Sequence, residues 1–363
     1  MVALPLAVHG GYPTEHAETP WPREHFEQGL TPPGVDLEPL FEELFVEQSP
    51  LGTTHAALIV HQGKIVAERY NGALGSFVGE PTPVEPATPL LSWSMAKTMI
   101  GVVVGMLVTD GLLDLDAPAA VPEWSSPGDP RGAITLRNLM EMRDGLDFAE
   151  EYSDTEASDV IEMLYGSGQG DMAHFAADRE LAATPGTRYN YSSGTTNIIS
   201  RLCGDVLGGQ DAMAEFLTTR LFGPLSMTNT TPSFDDAGTF IASSFVHATA
   251  QDFARFGLLL CRGGVADGAR LVPESWVDMF RTPVSIDDDD RFYYSSQCWV
   301  VGDDLGTFWA SGFEGQMISV CPPLDLVVVR LGQTTDSETY RLKEWRNRVT
   351  EAFRATLSDS RVY

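Results

Sequence analysis

Lysine is almost absent from this 363-residue chain, which contains only Lys64, Lys97 and Lys343. Lysine and arginine together number 23 against 51 aspartates and glutamates, so the formal net charge at pH 7 is −28. Cationic side chains supply most of the non-specific affinity of proteins for nucleic acids, and an acidic surface repels phosphates and anionic lipid headgroups. We therefore expect neither nucleic acid nor a membrane as a partner.

Cysteines are also few, and they lie far apart in the sequence: Cys203, Cys261, Cys298 and Cys321. No C-x-x-C pair or histidine cluster accompanies them, so the sequence predicts reduced, buried thiols and no metal site. The longest strongly apolar stretch, 12 residues between Lys97 and Asp110, is shorter than the roughly 20 that cross a bilayer. The N-terminus lacks the basic and apolar segments of a signal peptide, and we expect a cytoplasmic protein.

The order of the predicted elements indicates an α+β fold. Strand-like runs occur near both ends of the chain and surround a helical middle, which is typical of an antiparallel sheet flanked by helices, with a mainly helical domain inserted into it. We assign 36–100 and 248–363 to the sheet domain and 101–247 to the helical domain. Residues 1–35 are rich in proline without an apolar period, which predicts an irregular arm.

Local patterns place the individual elements. Two strand-like runs, 55–61 and 64–70, flank Gln62-Gly63, which is typical of a two-residue hairpin turn. A buried helix is predicted from Ser94 to Asp110. The acidic run Asp287–Asp290 is predicted to be a solvated loop, because it lacks the spacing of a calcium site. Further strands are predicted at Phe292–Val301, Thr307–Ser311, Gln316–Cys321 and Asp325–Leu331. Further helices are predicted at 36–45, 135–142, 156–165, 171–179, 195–207, 210–221, 249–262, 273–281 and 340–357.

Ser94 and Lys97 form an S-x-x-K pair at the start of the apolar helix. Residues three apart share a helix face, so a lysine here is expected to be buried beside the serine. A lysine with a pKa near 10.4 is neutral at pH 7 about once in 2,500, but burial lowers that pKa by roughly 3–5 units. A neutral Lys97 could then deprotonate Ser94 and make it a nucleophile. The alternative is that Lys97 extends to solvent while Ser94 caps the helix.

Two later segments carry further candidates. Tyr191 and Ser193 precede a predicted helix, and a tyrosine beside the serine–lysine pair could relay a proton to a leaving group. The alternative is a packed aromatic ring next to a capping serine. Gly312 and Phe313 stand at the head of a strand, where the Phe313 N–H and the Ser94 N–H could form an oxyanion hole. The alternative is an ordinary β-turn.

Together these segments resemble the serine β-lactamase and penicillin-binding-protein superfamily. Its three motifs correspond to Ser94–Lys97, Tyr191-Ser192-Ser193 and Ala310-Ser311-Gly312, and the likeness extends over about residues 50–335. The resemblance implies a hydrolase that forms an acyl-enzyme, with Ser94 as nucleophile, Lys97 as base and Tyr191 as proton relay. It implies no metal and no cofactor.

The chain also departs from the superfamily's pattern. Class C β-lactamases carry Tyr-x-Asn and Lys-Thr-Gly, whereas here Ser193 replaces the asparagine and Ala310 replaces the lysine. A charge-assisted contact worth roughly 1.5–3 kcal/mol with the carboxylate of a β-lactam is therefore missing. The Tyr-x-Ser form and the Phe-Glu-Gly-Gln segment are similar to 6-aminohexanoate-dimer hydrolases and family VIII carboxylesterases, which implies small ester or linear amide substrates.

That branch also has a Glu-x-Tyr-x-Asp segment whose tyrosine bounds the substrate cleft, and Glu150–Asp154 matches it. The resemblance thus makes Tyr152 a substrate contact, against the alternative of a surface aromatic. Two other functions stay open: a non-catalytic ligand-binding member of the fold, and a β-lactamase or D,D-peptidase. The absence of G-x-S-x-G argues against an α/β-hydrolase. We expect a monomer or a homodimer.

Overall fold

The structure is a computed structural model that describes residues 4–14, 21–75, 81–152, 158–287 and 292–359. Within these residues the helices are α1 (Glu38–Phe45), α2 (Ala96–Thr109), α3 (Leu136–Met140), α4 (Asp159–Tyr165), α5 (Met172–Ala177), α6 (Ser193–Leu207), α7 (Gln210–Phe216), α8 (Ala250–Cys261), α9 (Glu274–Arg281), α10 (Thr339–Arg354) and α11 (Thr356–Asp359). The strands are β1 (Thr53–His61), β2 (Lys64–Tyr70), β3 (Ala73–Leu74), β4 (Thr82–Pro83), β5 (Leu90–Leu91), β6 (Thr231–Pro232), β7 (Val246–Ala248), β8 (Val265–Ala266), β9 (Ala269–Arg270), β10 (Ser285–Asp287), β11 (Phe292–Tyr294), β12 (Trp299–Val300), β13 (Phe308–Gly312), β14 (Gln316–Cys321) and β15 (Leu326–Gln333).

The main sheet of the described residues has eight strands in the order β10-β11-β12-β13-β14-β15-β1-β2, and all neighbours are antiparallel. Strands β1 and β2 form the predicted hairpin, in which Gln62 and Gly63 have φ angles of 51° and 74°. Two positive φ angles match the right-handed twist of a two-residue hairpin. Because β15 pairs with β1, distant parts of the chain build one sheet.

Helices cover both faces of this sheet. Side chains of a strand point alternately to its two faces, and β15 follows this period. Val327 and Val329 lie in a hydrophobic cluster with residues of α2 and α8, whereas Leu326 and Val328 lie in a second cluster with residues of α1 and α10. The predicted fold class, an antiparallel sheet flanked by helices, is confirmed.

The first of these clusters extends into the helical middle of the chain, where Ile198 and Ile199 of α6 belong to it. One core therefore joins the sheet to the helices, and the domain bounds at 100 and 248 stay predictions. Residues of the N-terminal arm pack on this body: the Tyr12 hydroxyl donates to Asp278 (2.8 Å), and Trp21 Nε1 donates to the Leu225 carbonyl (3.2 Å).

Helix α2 is the predicted buried helix, and residues 96–107 of it are buried. None of the helices in the described part of the chain combines the length and hydrophobicity needed to cross a bilayer. All four cysteines are buried and unpaired with one another, as predicted.

The strand predicted over Phe292–Val301 is wrong. It is divided into β11 and β12, which form a hairpin around a turn where Gln297 has a φ of 59°. The Gln297 backbone N–H donates to the Met140 carbonyl (2.9 Å), and its side-chain oxygen accepts from Thr196 (2.9 Å). Partners more than 100 residues away thus stabilise the turn.

Other predicted bounds shift by a few residues. The helix expected from Ser94 begins as a 3₁₀ turn at Trp93–Met95, and the one expected over 210–221 continues past α7 as a π-helical segment, Leu217–Phe222. Asp287 belongs to β10 rather than to a loop, and the rest of the acidic run Asp287–Asp290 lies outside the described residues. The predicted start of α4 at 156 also lies outside them.

Gly257 lets α8 approach the sheet closely. A Cβ atom at this position would lie 2.5 Å from Val327 Cγ1 and 2.8 Å from Ile318 Cγ2, well inside van der Waals contact. We expect Gly257→Ala to lower the free energy of unfolding by about 1–3 kcal/mol because of overpacking. The matched control is Gly204→Ala in α6, where nothing lies within 4 Å; there alanine is expected to raise stability by roughly 0.5–1 kcal/mol. Urea unfolding measures both, and equal effects would contradict the packing.

Candidate active site

Ser94 lies in the 3₁₀ turn that leads into α2, and Lys97 lies in the first turn of that helix. Lys97 is 2% exposed, and its Nζ donates a hydrogen bond of 2.9 Å to Ser94 Oγ. The residue at the N-cap position of α2 is Met95, so Ser94 does not cap the helix. Both alternatives for this segment, a solvent-directed lysine and a capping serine, are therefore wrong.

The backbone just before Ser94 is strained. Trp93 has a φ of 45°, in the left-handed region that residues with a side chain rarely adopt. Its ring packs against Phe245 and Phe313, with centroids 6.0 and 5.5 Å away, so tertiary contacts stabilise the turn. Strain of this kind is concentrated at functional sites.

The Lys97 ammonium has acceptors from three parts of the chain. Besides Ser94 Oγ, Nζ donates to Ser193 Oγ at the start of α6 (2.9 Å) and to the backbone carbonyl of Ser243 (3.0 Å). Burial lowers the pKa of Lys97 to about 8, although the negative charge of Glu150 acts in the opposite direction. The three acceptors therefore hold Lys97 Nζ in place. Burial makes the uncharged form of the amine accessible near physiological pH.

Tyr191 lies beside the same pair. The centre of its ring is 4.9 Å from Lys97 Nζ, and the ring centroids of Tyr294 and Trp299 lie 5.7 and 5.5 Å from it. Burial raises the pKa of the Tyr191 phenol, and a hydrogen bond with Ser94 opposes that shift. The phenol is therefore protonated at neutral pH and can donate a proton next to Ser94 Oγ.

Gly312 and Phe313 mark the end of β13 and the start of a 3₁₀ turn. A Cβ at Gly312 would lie 2.4 Å from the carbonyl oxygen of Ser92, so the strand can approach the Ser94 turn only with glycine here. The Phe313 ring lies between those of Trp93 and Tyr152, with centroids 5.5 and 4.9 Å away. The structure thus places the Gly312–Phe313 segment against the turn that contains Ser94.

A cavity of about 1060 Å³ opens in front of Ser94. Its walls include the aromatic side chains of Tyr152, Tyr191, Trp299 and Phe313. Tyr152 is 38% exposed and lies on this wall rather than on an isolated surface. Asp154, the last residue of the Glu-x-Tyr-x-Asp match, lies outside the described residues.

Two groups that act on Lys97, one through Ser193 and one directly, were not predicted as site residues from the sequence. Glu150 appeared only as part of the segment that contains Tyr152, yet its carboxylate accepts from the Ser193 backbone N–H (2.7 Å) and Ser193 Oγ (2.5 Å). The Ser243 carbonyl has no signal in the sequence, because any residue type supplies that atom. The described residues contain no group of three or more His, Cys, Asp or Glu side chains placed to hold a metal.

The antiparallel sheet and its flanking helices form a β-lactamase/transpeptidase-like fold. The chain matches the beta-lactamase family over residues 51–352 and belongs to that family, which confirms the resemblance seen in the motifs. It is therefore a protein of a hydrolase family.

Several known proteins are similar to this chain in sequence or in structure. The 6-aminohexanoate-dimer hydrolase of Paenarthrobacter ureafaciens is 28% identical over 323 residues, which cover 84% of this chain and 76% of that protein. A structure assigned provisionally as a 6-aminohexanoate-dimer hydrolase from Bacillus anthracis has a TM-score of 0.73 at 20% identity, covering 94% of this chain and 90% of that one. A family VIII carboxylesterase has a TM-score of 0.68 at 17% identity, covering 89% and 99%.

Proposed function

We propose that this protein is a serine hydrolase that cleaves esters or small linear amides through an acyl-enzyme. The observation that carries the proposal is the buried Lys97 amine, 2.9 Å from Ser94 Oγ at the wall of the large cavity. The similarity to a 6-aminohexanoate-dimer hydrolase supports the amide part of this substrate class, and that to a carboxylesterase supports the ester part.

Lys97 acts as the general base. A pKa of about 8 leaves about one amine in ten neutral at pH 7, a cost of about 1.4 kcal/mol. An unshifted lysine would cost about 3 kcal/mol more, or roughly two orders of magnitude in the reactive fraction. Burial therefore removes most of the free-energy cost of deprotonating Lys97 at neutral pH.

The reaction begins when Lys97 Nζ takes the proton of Ser94 Oγ and the oxygen attacks the substrate carbonyl. The positive end of α2 favours the developing negative charge, and the backbone N–H groups of Ser94 and Phe313 stabilise the tetrahedral oxyanion. Tyr191 donates a proton to the leaving group as the bond to the acyl carbon breaks. Water then attacks the acyl-enzyme with these proton transfers reversed.

The third motif disfavours anionic β-lactams. Ala310 occupies the place of the superfamily's lysine and is 2% exposed. It packs in the hydrophobic cluster that also contains residues of α2 and α8. Losing a charge-assisted contact of roughly 1.5–3 kcal/mol corresponds to about 10- to 150-fold in affinity or rate. Esters and linear amides whose binding does not depend on a carboxylate do not require that contact.

A substrate screen tests the proposal. We expect p-nitrophenyl esters or linear 6-aminohexanoate oligomers to be hydrolysed by the wild type and not by Ser94→Ala, and nitrocefin to be turned over at least about 10-fold more slowly. Ser94-dependent nitrocefin turnover faster than that of every ester and amide would favour a β-lactamase. Binding of these compounds without turnover would favour a non-catalytic member of the fold.

A further inference from the structure

The Glu150 carboxylate lies on the cavity wall and accepts three hydrogen bonds, but the proposed reaction assigns it no step. It accepts from the Ser193 backbone N–H (2.7 Å), from Ser193 Oγ (2.5 Å) and from the Tyr152 hydroxyl (2.5 Å). Hydrogen bonds to a carboxylate are stronger than those between neutral groups, so this arrangement fixes the Glu150 carboxylate in one position.

The same Ser193 hydroxyl connects Glu150 to the base. It accepts from Lys97 Nζ (2.9 Å) while it donates to Glu150, so Lys97, Ser193, Glu150 and Tyr152 form one continuous chain of hydrogen bonds. Bonds of 2.9 and 2.5 Å meet at Ser193 Oγ, so one bridging oxygen atom separates the Glu150 carboxylate from Lys97 Nζ. Opposite charges this close inside a protein attract each other strongly.

The other groups around Lys97 are neutral. They are the hydroxyls of Ser94 and Ser193, the carbonyl of Ser243 and the ring of Tyr191. Three phenols also respond to the Glu150 charge: burial raises the pKa values of Tyr152, Tyr191 and Tyr294, and the negative charge of Glu150 adds to that shift. Among the described residues, Glu150 is therefore the charge that acts on Lys97.

We propose that Glu150 is a positioning residue that acts through Ser193 on Lys97, so that its negative charge sets the fraction of uncharged amine and the pH range in which Ser94 is activated. The consequence for hydrolysis rests on the proposed function. The electrostatic coupling between Glu150 and Lys97 does not, and it can be measured in the absence of any substrate.

The scarcity of lysine makes that measurement direct. Protein labelled with lysine that carries ¹³C at Cε contains only three labelled side chains, and Lys64→Arg and Lys343→Arg assign two of the signals. In Glu150→Gln, which keeps the shape of the side chain and removes its charge, we expect the Lys97 titration midpoint to fall by about one pH unit or more. The acid limb of kcat/KM is expected to move to lower pH by the same amount.

Two variants serve as controls. Glu150→Asp keeps the charge and is expected to keep the Lys97 midpoint within about half a pH unit of the wild type. Glu180→Gln removes an exposed carboxylate that does not line the cavity, and it should leave the midpoint unchanged. Glu150→Ala, which also removes the charge, carries the same expectation as Glu150→Gln and replaces it if that variant does not fold.

A Lys97 midpoint that stays in place or rises in the folded, uncharged variant would overturn this role of Glu150. This result does not decide whether the protein is a hydrolase. If the Lys97 midpoint shifts but no ester or amide is hydrolysed, the coupling is supported and the hydrolase is contradicted. If hydrolysis depends on Ser94 but the midpoint does not shift, the hydrolase is supported and the coupling is contradicted.

Discussion

Replacing Ser94 with alanine is expected to lower kcat/KM for the best ester substrate by at least about 10⁴-fold. The reason is that Ser94 Oγ is the atom proposed to form the acyl bond, and removing a nucleophile of this kind leaves only binding and oxyanion stabilisation. The fold should persist, because Ser94 is half-buried and its partner Lys97 retains the Ser193 and Ser243 acceptors. Steady-state kinetics with a p-nitrophenyl ester measure the effect.

The matched control is Ser125→Ala, since Ser125 is exposed and its hydroxyl donates to the Pro122 carbonyl away from the cavity. It is expected to keep wild-type activity. A Ser94→Ala protein that is folded, by circular dichroism, and keeps more than about a tenth of the activity would show that another group forms the covalent bond.

Replacing Lys97 with methionine is expected to lower kcat/KM by about 10³-fold, within the range found for removal of a general base. Methionine fills a similar volume but cannot accept the Ser94 proton. Lys97→Arg distinguishes a base from a positive charge, because arginine keeps the charge and the donors but is not deprotonated in proteins. We therefore expect arginine to be as inactive as methionine.

Lys64→Met is the control for the loss of a lysine, because Lys64 pairs at the surface with Glu27 (3.0 Å) and does not line the cavity. It should leave kcat/KM unchanged. If Lys97→Arg were active while Lys97→Met was not, Lys97 would act through its charge, and the base would have to be another group.

The sequence predicted the parts of the site that are local in the chain. Ser94 and Lys97 are one helical turn apart, so their contact follows from helix geometry once the helix is recognised. The Gln62-Gly63 hairpin is local in the same sense, since its turn depends on two adjacent residues. The placement of Tyr191 and Phe313 beside this pair came instead from the resemblance of three motifs, because no local rule joins segments about 100 and 220 residues away.

What the sequence did not predict depends on long-range contacts. The strand expected over Phe292–Val301 is divided because Gln297 is bonded to Met140 and Thr196, neither of which is near it in the chain. Glu150 reaches Lys97 only through Ser193, 43 residues further along the chain. The third acceptor of Lys97 Nζ is the backbone carbonyl of Ser243. Every residue type has this atom, so the sequence at position 243 does not predict the contact.

The rate at which a fluorophosphonate labels Ser94, followed as a function of pH, tests the central claim most directly. If a neutral Lys97 activates Ser94, the labelling rate rises about tenfold per pH unit between pH 6 and 7, levels off above about pH 8, where the pKa of Lys97 lies, and loses this dependence in Lys97→Met. Peptide mapping should place the adduct on Ser94. An adduct on another residue, or a rate on Ser94 that is the same with and without Lys97, would contradict the account.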